Sequence, residues 1–223
     1  MNPSGKLASS FPAKYEDNAS SATFPGKELP SDQPAPTGPG GFMHGRPAEV
    51  TYEDGIYVGY RYYETFRVNT SYEFGYGLSY TNFSYTNLKL SSQAFNGKMN
   101  VSVDVKNTGK MAGKEVVQLY LTAPAVKLDK PALELKGFAK TRNLQPGESQ
   151  TLSFVLEPRS LASFDTTSSS WVADPGVYIV KIGASSRDIR QTATFALDKE
   201  LMVKKETAAL APKQPVNEIK PKP

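Results

Sequence analysis

The chain has 223 residues, of which 39% are hydrophobic and 11% aromatic, and this is enough apolar material for a packed core. Its formal charge of +4 comes from 26 basic and 22 acidic residues spread without a run of like charges, which predicts no nucleic-acid partner. No window approaches the roughly 18 consecutive apolar residues of a membrane helix, and the lack of cysteine excludes disulfides, thiolate metal sites and cysteine nucleophiles.

The first part of the chain is rich in proline and glycine. The run SDQPAPTGPGGFMHG, at residues 31–45, has the composition of an exposed loop. The only histidine, His44, lies in this run, so a Ser-His-Asp triad or a multi-histidine metal site would depend on one loop residue. We therefore interpret His44 as an ordinary loop residue.

The segment from Tyr52 to Tyr85 follows and holds nine of the 12 tyrosines. Such an aromatic density suits either a sugar-stacking platform or an interface in which buried tyrosines bind backbone partners through their hydroxyl groups. The interface is the commoner arrangement, and we favour it here.

Short alternating runs separated by turn signals extend from Phe83 to Leu197 and predict about seven strands. The clearest is Met99 to Asn107, where valines alternate with polar residues as in a half-buried strand. We expect one helical turn within residues 158–164 and a hairpin at residues 186–188. The predicted fold is an all-β, immunoglobulin-like sandwich.

Acid/base catalysis by carboxylates needs two such groups held in different environments. We expect most acidic residues to face water or lie in turns, as judged for Asp104, Glu115, Glu148 and Asp188. The sequence therefore predicts no catalytic pair. Trp171 could stack on a sugar, but we favour a place in the core for a lone tryptophan of a sandwich.

Several motifs occur together in a fixed order. They are Asn2-Pro-Ser-Gly-Lys-Leu7, Val50-Thr-Tyr-Glu-Asp-Gly-Ile-Tyr-Val-Gly-Tyr-Arg-Tyr-Tyr63, Phe74-Gly-Tyr-Gly-Leu-Ser-Tyr80, Glu115-Val-Val-Gln-Leu-Tyr120 and Ser185-Ser-Arg-Asp-Ile189. In content, order and spacing the chain resembles the C-terminal portion of family 3 glycoside hydrolases, which are β-glucosidase-like enzymes. One departure is Glu73, which stands where that family usually has proline.

The resemblance implies a division of the chain into four parts. Residues 1–50 would be the end of an α/β-sandwich domain with its Pro/Gly-rich loop, and residues 51–79 an aromatic inter-domain segment. Residues 80–199 would form the fibronectin-III-like sandwich, and the composition of the last part, residues 200–223, with prolines among lysines, predicts a disordered tail. The fold expected overall is thus a sandwich of about seven strands preceded by an extended arm.

The resemblance also implies a function without catalytic residues. The aspartate nucleophile of the family lies in an N-terminal barrel, and its acid/base carboxylate lies in the barrel or the α/β domain. We therefore expect no catalytic, cofactor-binding or metal-binding residue in this stretch. It would be an accessory scaffold of an enzyme that hydrolyses O-glycosyl bonds, with the activity residing in the complete polypeptide.

Two alternatives remain open from the sequence. One is a free-standing carbohydrate-binding module that uses Trp171 and exposed tyrosines, and the other is a structural module without sugar affinity. The expected partners are the upstream catalytic and α/β-sandwich domains, with β-linked oligosaccharides as a second class. The sequence leaves the compartment open, and only the resemblance favours a periplasmic or secreted location.

Overall fold

The computed structural model describes residues 1–30, 48–208 and 215–221 of the chain. The strands are β1 (Phe11–Pro12), β2 (Lys27–Glu28), β3 (Ala48–Glu49), β4 (Thr70–Tyr72), β5 (Phe83–Leu90), β6 (Met99–Asn107), β7 (Val116–Thr122), β8 (Glu134–Lys140), β9 (Ser149–Leu156), β10 (Ser163–Asp165), β11 (Ser170–Ala173), β12 (Gly176–Gly183), β13 (Ile189–Leu197) and β14 (Leu201–Lys205). The α-helices are α1 (Tyr60–Thr65) and α2 (Pro158–Leu161), and two 3-10 helices span Tyr15–Asp17 and Ala19–Ala22. Within these ranges, no helix has both the length and the apolar character needed to cross a membrane.

Two antiparallel sheets form the sandwich. One has the order β13-β12-β7-β8 and the other the order β5-β6-β9, which together make seven strands. This confirms the all-β sandwich predicted from the turn spacing. The helical turn expected within residues 158–164 is α2, and the hairpin expected at residues 186–188 joins β12 to β13.

The period-2 pattern of the sequence builds the core directly. Val101, Val103 and Val105 of β6 are fully buried, and the first two lie opposite Phe154 and Leu152 of β9. Alternate side chains of a strand point to opposite faces, so every apolar residue of this run enters the core. Truncating one such aliphatic or aromatic side chain to alanine costs about 2–5 kcal/mol.

The opposite sheet supplies the other half of the core. The rings of Tyr178 on β12 and Phe195 on β13 stack with centroids 5.4 Å apart, and Leu119 of β7 is fully buried beside the same core. The Tyr178 hydroxyl group donates a 2.8 Å hydrogen bond to the Asp174 carbonyl oxygen, which satisfies its polar end.

A third sheet extends the fold beyond the predicted end of the sandwich. Its order is β10-β11-β14, and Val172 of β11 lies opposite Met202 of β14. The sequence predicted a disordered tail from residue 200, so β14 is a correction. The apolar run Leu201 to Val203 is too short to give a recognisable strand pattern beside the Pro- and Lys-rich residues that follow it. It forms a strand because it pairs with the edge of β11. Residues 209–214 and 222–223 of the predicted tail lie outside the described residues.

The arm consists of residues 1–30 and 48–79. It contains two small antiparallel pairs, β1 with β4 and β2 with β3, and the short helix α1. The Leu7 N–H donates to the Tyr76 carbonyl oxygen at 2.8 Å, and the Gly75 N–H donates to the Leu7 carbonyl oxygen at 2.9 Å. The start of the arm is therefore paired with its end. The predicted loop at residues 31–45, with His44, lies outside the described residues.

Candidate functional site

The surface where the arm meets the sandwich, which we call the junction, concentrates the specific contacts of the motif residues. At its centre is Gln118 of β7, an amide side chain in a residue that is only 3% exposed. Its Nε2 donates to the carbonyl oxygens of Gly75 at 3.1 Å and Ala184 at 2.7 Å, and its Oε1 accepts from the Tyr120 hydroxyl group. A buried amide without these partners would be strongly unfavourable, so the arm must sit in one position.

Gly75 makes this approach of the arm possible. Its φ is +81°, a conformation that side chains disfavour, and a Cβ atom there would lie 2.1 Å from Gln118 Oε1. Gly77 is constrained in a similar way, because a Cβ atom would lie 2.3 Å from the Gly5 carbonyl oxygen. The two glycines of the Phe74–Tyr80 motif therefore allow the backbone to pass close to Gln118 and to Gly5.

Aromatic side chains of the arm cover the outer face of the four-stranded sheet. The ring of Tyr60 on α1 stacks on Phe74 at 4.5 Å and meets the edge of Tyr120 at 6.1 Å. The Tyr60 hydroxyl group accepts a 2.8 Å hydrogen bond from the Leu135 N–H of β8. Burial raises the pKa of Tyr60, although the Leu135 N–H acts in the opposite direction. This contact agrees with the interface interpretation of the tyrosine-rich segment.

Ionic contacts fasten the arm to the β12–β13 hairpin. Arg187 Nε lies 3.1 Å from both carboxylate oxygens of Glu64, and Arg187 Nη2 donates to the Val68 carbonyl oxygen at 2.7 Å. Ser186 Oγ donates to Glu64 at 2.9 Å, and Ser185 Oγ donates to Glu73 at 2.7 Å. The hairpin predicted from the turn signal thus binds the arm.

The first residues of the chain are bound to the sandwich by side-chain contacts. Asn2 Nδ2 donates to the Ala112 carbonyl oxygen at 3.1 Å, and Asn2 Oδ1 accepts from the Tyr80 N–H at 2.9 Å. Lys6 Nζ lies 3.0 Å from Glu115 Oε1, with both side chains largely buried. The expectation that Glu115 faces water was wrong, because the arm covers it; Glu115 is 8% exposed.

A shallow apolar groove of about 550 Å³ lies on the arm. Its lining includes Leu7, Phe11, Tyr72, Tyr76 and Leu78. Leu78 is 68% exposed, Phe11 49% and Tyr72 48%. Contiguous exposed aromatic and aliphatic side chains of this kind are typical of surfaces that contact another protein part.

Trp171 is not in the core, contrary to the prediction. The residue is half-buried on β11, and the Arg159 guanidinium group lies 3.9 Å from its ring centroid. Phe164 of β10 packs beside it at 5.5 Å. The third sheet, which the sequence did not predict, places Trp171 outside the two main sheets.

The other acidic residues considered from the sequence have local partners. Asp104 accepts hydrogen bonds from Thr151 and Asn87, and these lower its pKa. Glu148 pairs with Arg142 at 2.6 Å. Asp188 pairs with Arg190 at 2.5 Å. Across the described ranges, no group of three or more histidine and acidic side chains is arranged to hold a metal ion.

Sequence reasoning missed Gln118, Glu64 and Ser185 as junction residues. A signal was present for Gln118, since it interrupts an otherwise apolar strand between Val117 and Leu119. A polar residue that is buried in such a strand usually has a specific partner. Glu64 and Ser185 carry no comparable signal, because charged and small polar residues are common on any surface.

Comparisons with known proteins match this chain to a fibronectin type III-like domain family and to parts of several glycosidases. The fibronectin type III-like domain family matches residues 115–186. The chain is 39% identical over 207 residues to thermostable beta-glucosidase B of Acetivibrio thermocellus, covering 92% of this chain and 25% of that protein. It is 35% identical over 198 residues to an exo-alpha-(1->6)-L-arabinopyranosidase of Bifidobacterium longum, covering 89% and 23%. The structure of beta-glucosidase 3B from Thermotoga neapolitana in complex with glucose is similar at a TM-score of 0.77 and 47% identity, covering 91% of this chain and 26% of that one. The chain thus spans about a quarter of the length of these relatives.

Proposed function

Because this chain belongs to the family 3 glycoside hydrolases and matches their C-terminal part, we propose that it is the accessory scaffold of a β-glucosidase-type enzyme. In this proposal the hydrolysis of glycosidic bonds belongs to the complete polypeptide. In this proposal the nucleophile and the acid/base carboxylate belong to the part of the enzyme that corresponds to the three quarters of the relatives that this chain does not match.

The observation that carries the proposal is the use made of the motif residues. The contacts of these residues fix the arm to the sandwich. Gln118, Tyr60 and Glu64 do so through their side chains, and Gly75 does so because it lacks one. A catalytic surface would instead bring together, in a cleft, two carboxylates held in different environments. These residues therefore hold the arm in a defined position on the sandwich.

The partner in this proposal is the remainder of the same enzyme. The apolar groove of Phe11, Tyr72 and Leu78 supports it, since it leaves an aromatic surface exposed to solvent. The first three parts of the division predicted from the sequence are also part of the proposal. Residues 1–50 complete the upstream domain, residues 51–79 lie between the domains, and the sandwich begins at residue 80.

The decisive experiment compares the chain alone with a chimera. In the chimera, the chain replaces the corresponding quarter of beta-glucosidase 3B from Thermotoga neapolitana, to which it is 47% identical. Both are assayed with chromogenic aryl β-glucoside and β-xyloside. We expect turnover by the chimera and none by the chain alone. Turnover by the chain alone would overturn the assignment of both carboxylates to the rest of the enzyme.

A matched chimera tests whether the scaffold acts through the junction. Gly75→Ala should lower the temperature at which the chimera loses activity clearly more than Gly97→Ala, which lies in an open turn and carries only the backbone cost of its positive φ. Equal effects of the two substitutions would contradict a positioning role for the junction.

The carbohydrate-binding alternative can be tested on the chain alone. Isothermal titration with a β-linked oligosaccharide, before and after Trp171→Ala, measures whether the half-buried indole ring binds sugar. The Arg159 guanidinium group already occupies one face of that ring, so we expect no difference between the two titrations. Binding that Trp171→Ala abolishes would favour the module over the scaffold.

A further inference from the structure

The last described segment, residues 215–221, returns to the arm and the sandwich at once. The Ile219 N–H donates a 2.8 Å hydrogen bond to the Glu53 carbonyl oxygen in the arm. Lys220 Nζ lies 3.0 Å from Asp129 Oδ2, in the loop that joins β7 to β8. One short segment therefore contacts two parts of the fold that are far apart in sequence.

Gly55 of the arm leaves room for this segment. Its φ is +54°, and a Cβ atom there would lie 2.5 Å from Glu218 Oε2. The Glu218 carboxylate thus occupies the space above the glycine that any side chain would fill. Ile219 is half-buried, while Glu218 and Lys220 on either side are exposed, which is the alternation of an extended segment lying on a surface.

The surface under the segment includes Tyr57, which is 2% exposed and packs edge-on against Phe66 at 5.1 Å. Burial raises the pKa of Tyr57, and the carboxylates of Asp129 and Glu218 raise it further. Both carboxylates belong to the contact just described, so Tyr57 lies close to the place where segment and loop meet.

The loop that receives Lys220 is itself firmly held. Its Lys130 forms a buried pair with Asp174, and its Lys127 lies 3.1 Å from Asp165. The Ala132 N–H of the same loop donates to Thr65 Oγ1 at the end of α1. An anchor of this kind can transmit a restraint from the tail to the arm.

We propose that residues 215–221 act as a strap that fastens arm segment 53–57 to the β7–β8 loop and closes over Tyr57. The occupant of this surface is thus the C-terminal segment of the same chain. The inference is independent of the proposed function, because it concerns how the chain holds its own arm. The proposal gives a structural role to residues whose composition predicts a disordered tail.

Hydrogen exchange tests the strap on the full chain. Deleting residues 207–223 should speed amide exchange in residues 53–59 about tenfold, while β6 amides remain unchanged and show that the sandwich is folded. Unchanged exchange in residues 53–59 after the deletion would overturn the proposal. So would an Ile219 amide that exchanges in the intact chain as fast as in a free peptide.

A charge exchange tests the contact itself. Lys220→Asp and Asp129→Lys should each speed exchange in residues 53–59 by about two- to fivefold, as expected for the loss of an exposed ion pair. The double variant should restore the original rate, and Lys98→Asp, at an exposed lysine in the turn between β5 and β6, is the matched control. A double variant no slower than the single variants would contradict the Lys220–Asp129 contact.

Discussion

Replacing Gly75 by alanine measures how closely the arm must approach the sandwich. The backbone term comes from a φ of +81° and costs about 1–2 kcal/mol for a residue with a side chain. The Cβ atom would also lie 2.1 Å from Gln118 Oε1, so the amide has to move and its three hydrogen bonds are lost. At about 1 kcal/mol each, these add about 3 kcal/mol. Alanine also restricts the unfolded chain, which offsets about 0.4–1 kcal/mol. The net loss in the free energy that holds the arm should be about 3–5 kcal/mol.

Gly97 provides the matched control, because its φ is +82° and a Cβ atom there has nothing within 4 Å. Gly97→Ala should therefore show the backbone cost alone, about 1 kcal/mol. Hydrogen exchange resolved along the chain separates release of the arm from unfolding of the sandwich. For Gly75→Ala we expect amides near residue 75 to exchange roughly a hundredfold faster or more, with β6 and β9 unaffected. If the two substitutions cost the same, the close contact with Gln118 has no energetic importance and the account of the junction fails.

Three further predictions concern other contacts. Asn2→Ala should release the first residues of the arm and cost about 1–3 kcal/mol, seen as faster exchange at Tyr80 N–H; unchanged exchange would contradict the anchoring role. Lys130→Met leaves the buried Asp174 carboxylate without its cation and should lower the free energy of unfolding in urea by about 3–5 kcal/mol, while a loss below about 1 kcal/mol would mean that the pair is not buried in solution. Hydrogen bonds from Ser168 and then Lys127 lower the pKa of Asp165 from 3.8 to about 2, so its contribution to stability is complete above pH 3.8 and is lost as the pH falls towards 2. Asp165→Asn should flatten the stability profile in that window, and an unchanged profile would refute the assignment.

The strands were predictable because their signal is local. In β6 each valine that the alternation placed inward is fully buried, and the turns on either side mark where pairing stops. The end of the sandwich was harder to predict, since β14 depends on an edge that β11 offers and not on its own sequence. Trp171 was misplaced for the same reason: its position follows from a sheet whose third strand the sequence did not predict.

The junction was predictable as an aromatic interface but not residue by residue. Gly75 and Gly97 have almost the same φ, yet only Gly75 faces a buried amide, and nothing in the neighbouring residues distinguishes a close approach from an open turn. Glu115 shows the converse, because a strand end that looks solvated is covered by Lys6 from more than 100 positions away. Contacts between distant segments are set by tertiary structure, so a local pattern cannot report them.

The kind of contact at the junction bears on what a scaffold of this design can do. Apolar burial alone tolerates small shifts, because it is roughly proportional to area and has no direction. The Gln118 amide and the Arg187–Glu64 pair, by contrast, require donor and acceptor to meet within a few tenths of an ångström. An arm held in this way has one position on the sandwich, and whatever the exposed groove of Phe11 and Leu78 contacts inherits that position. A scaffold for a catalytic domain needs this property more than it needs affinity, since misplacement by about 1 Å can cost about a hundredfold in rate.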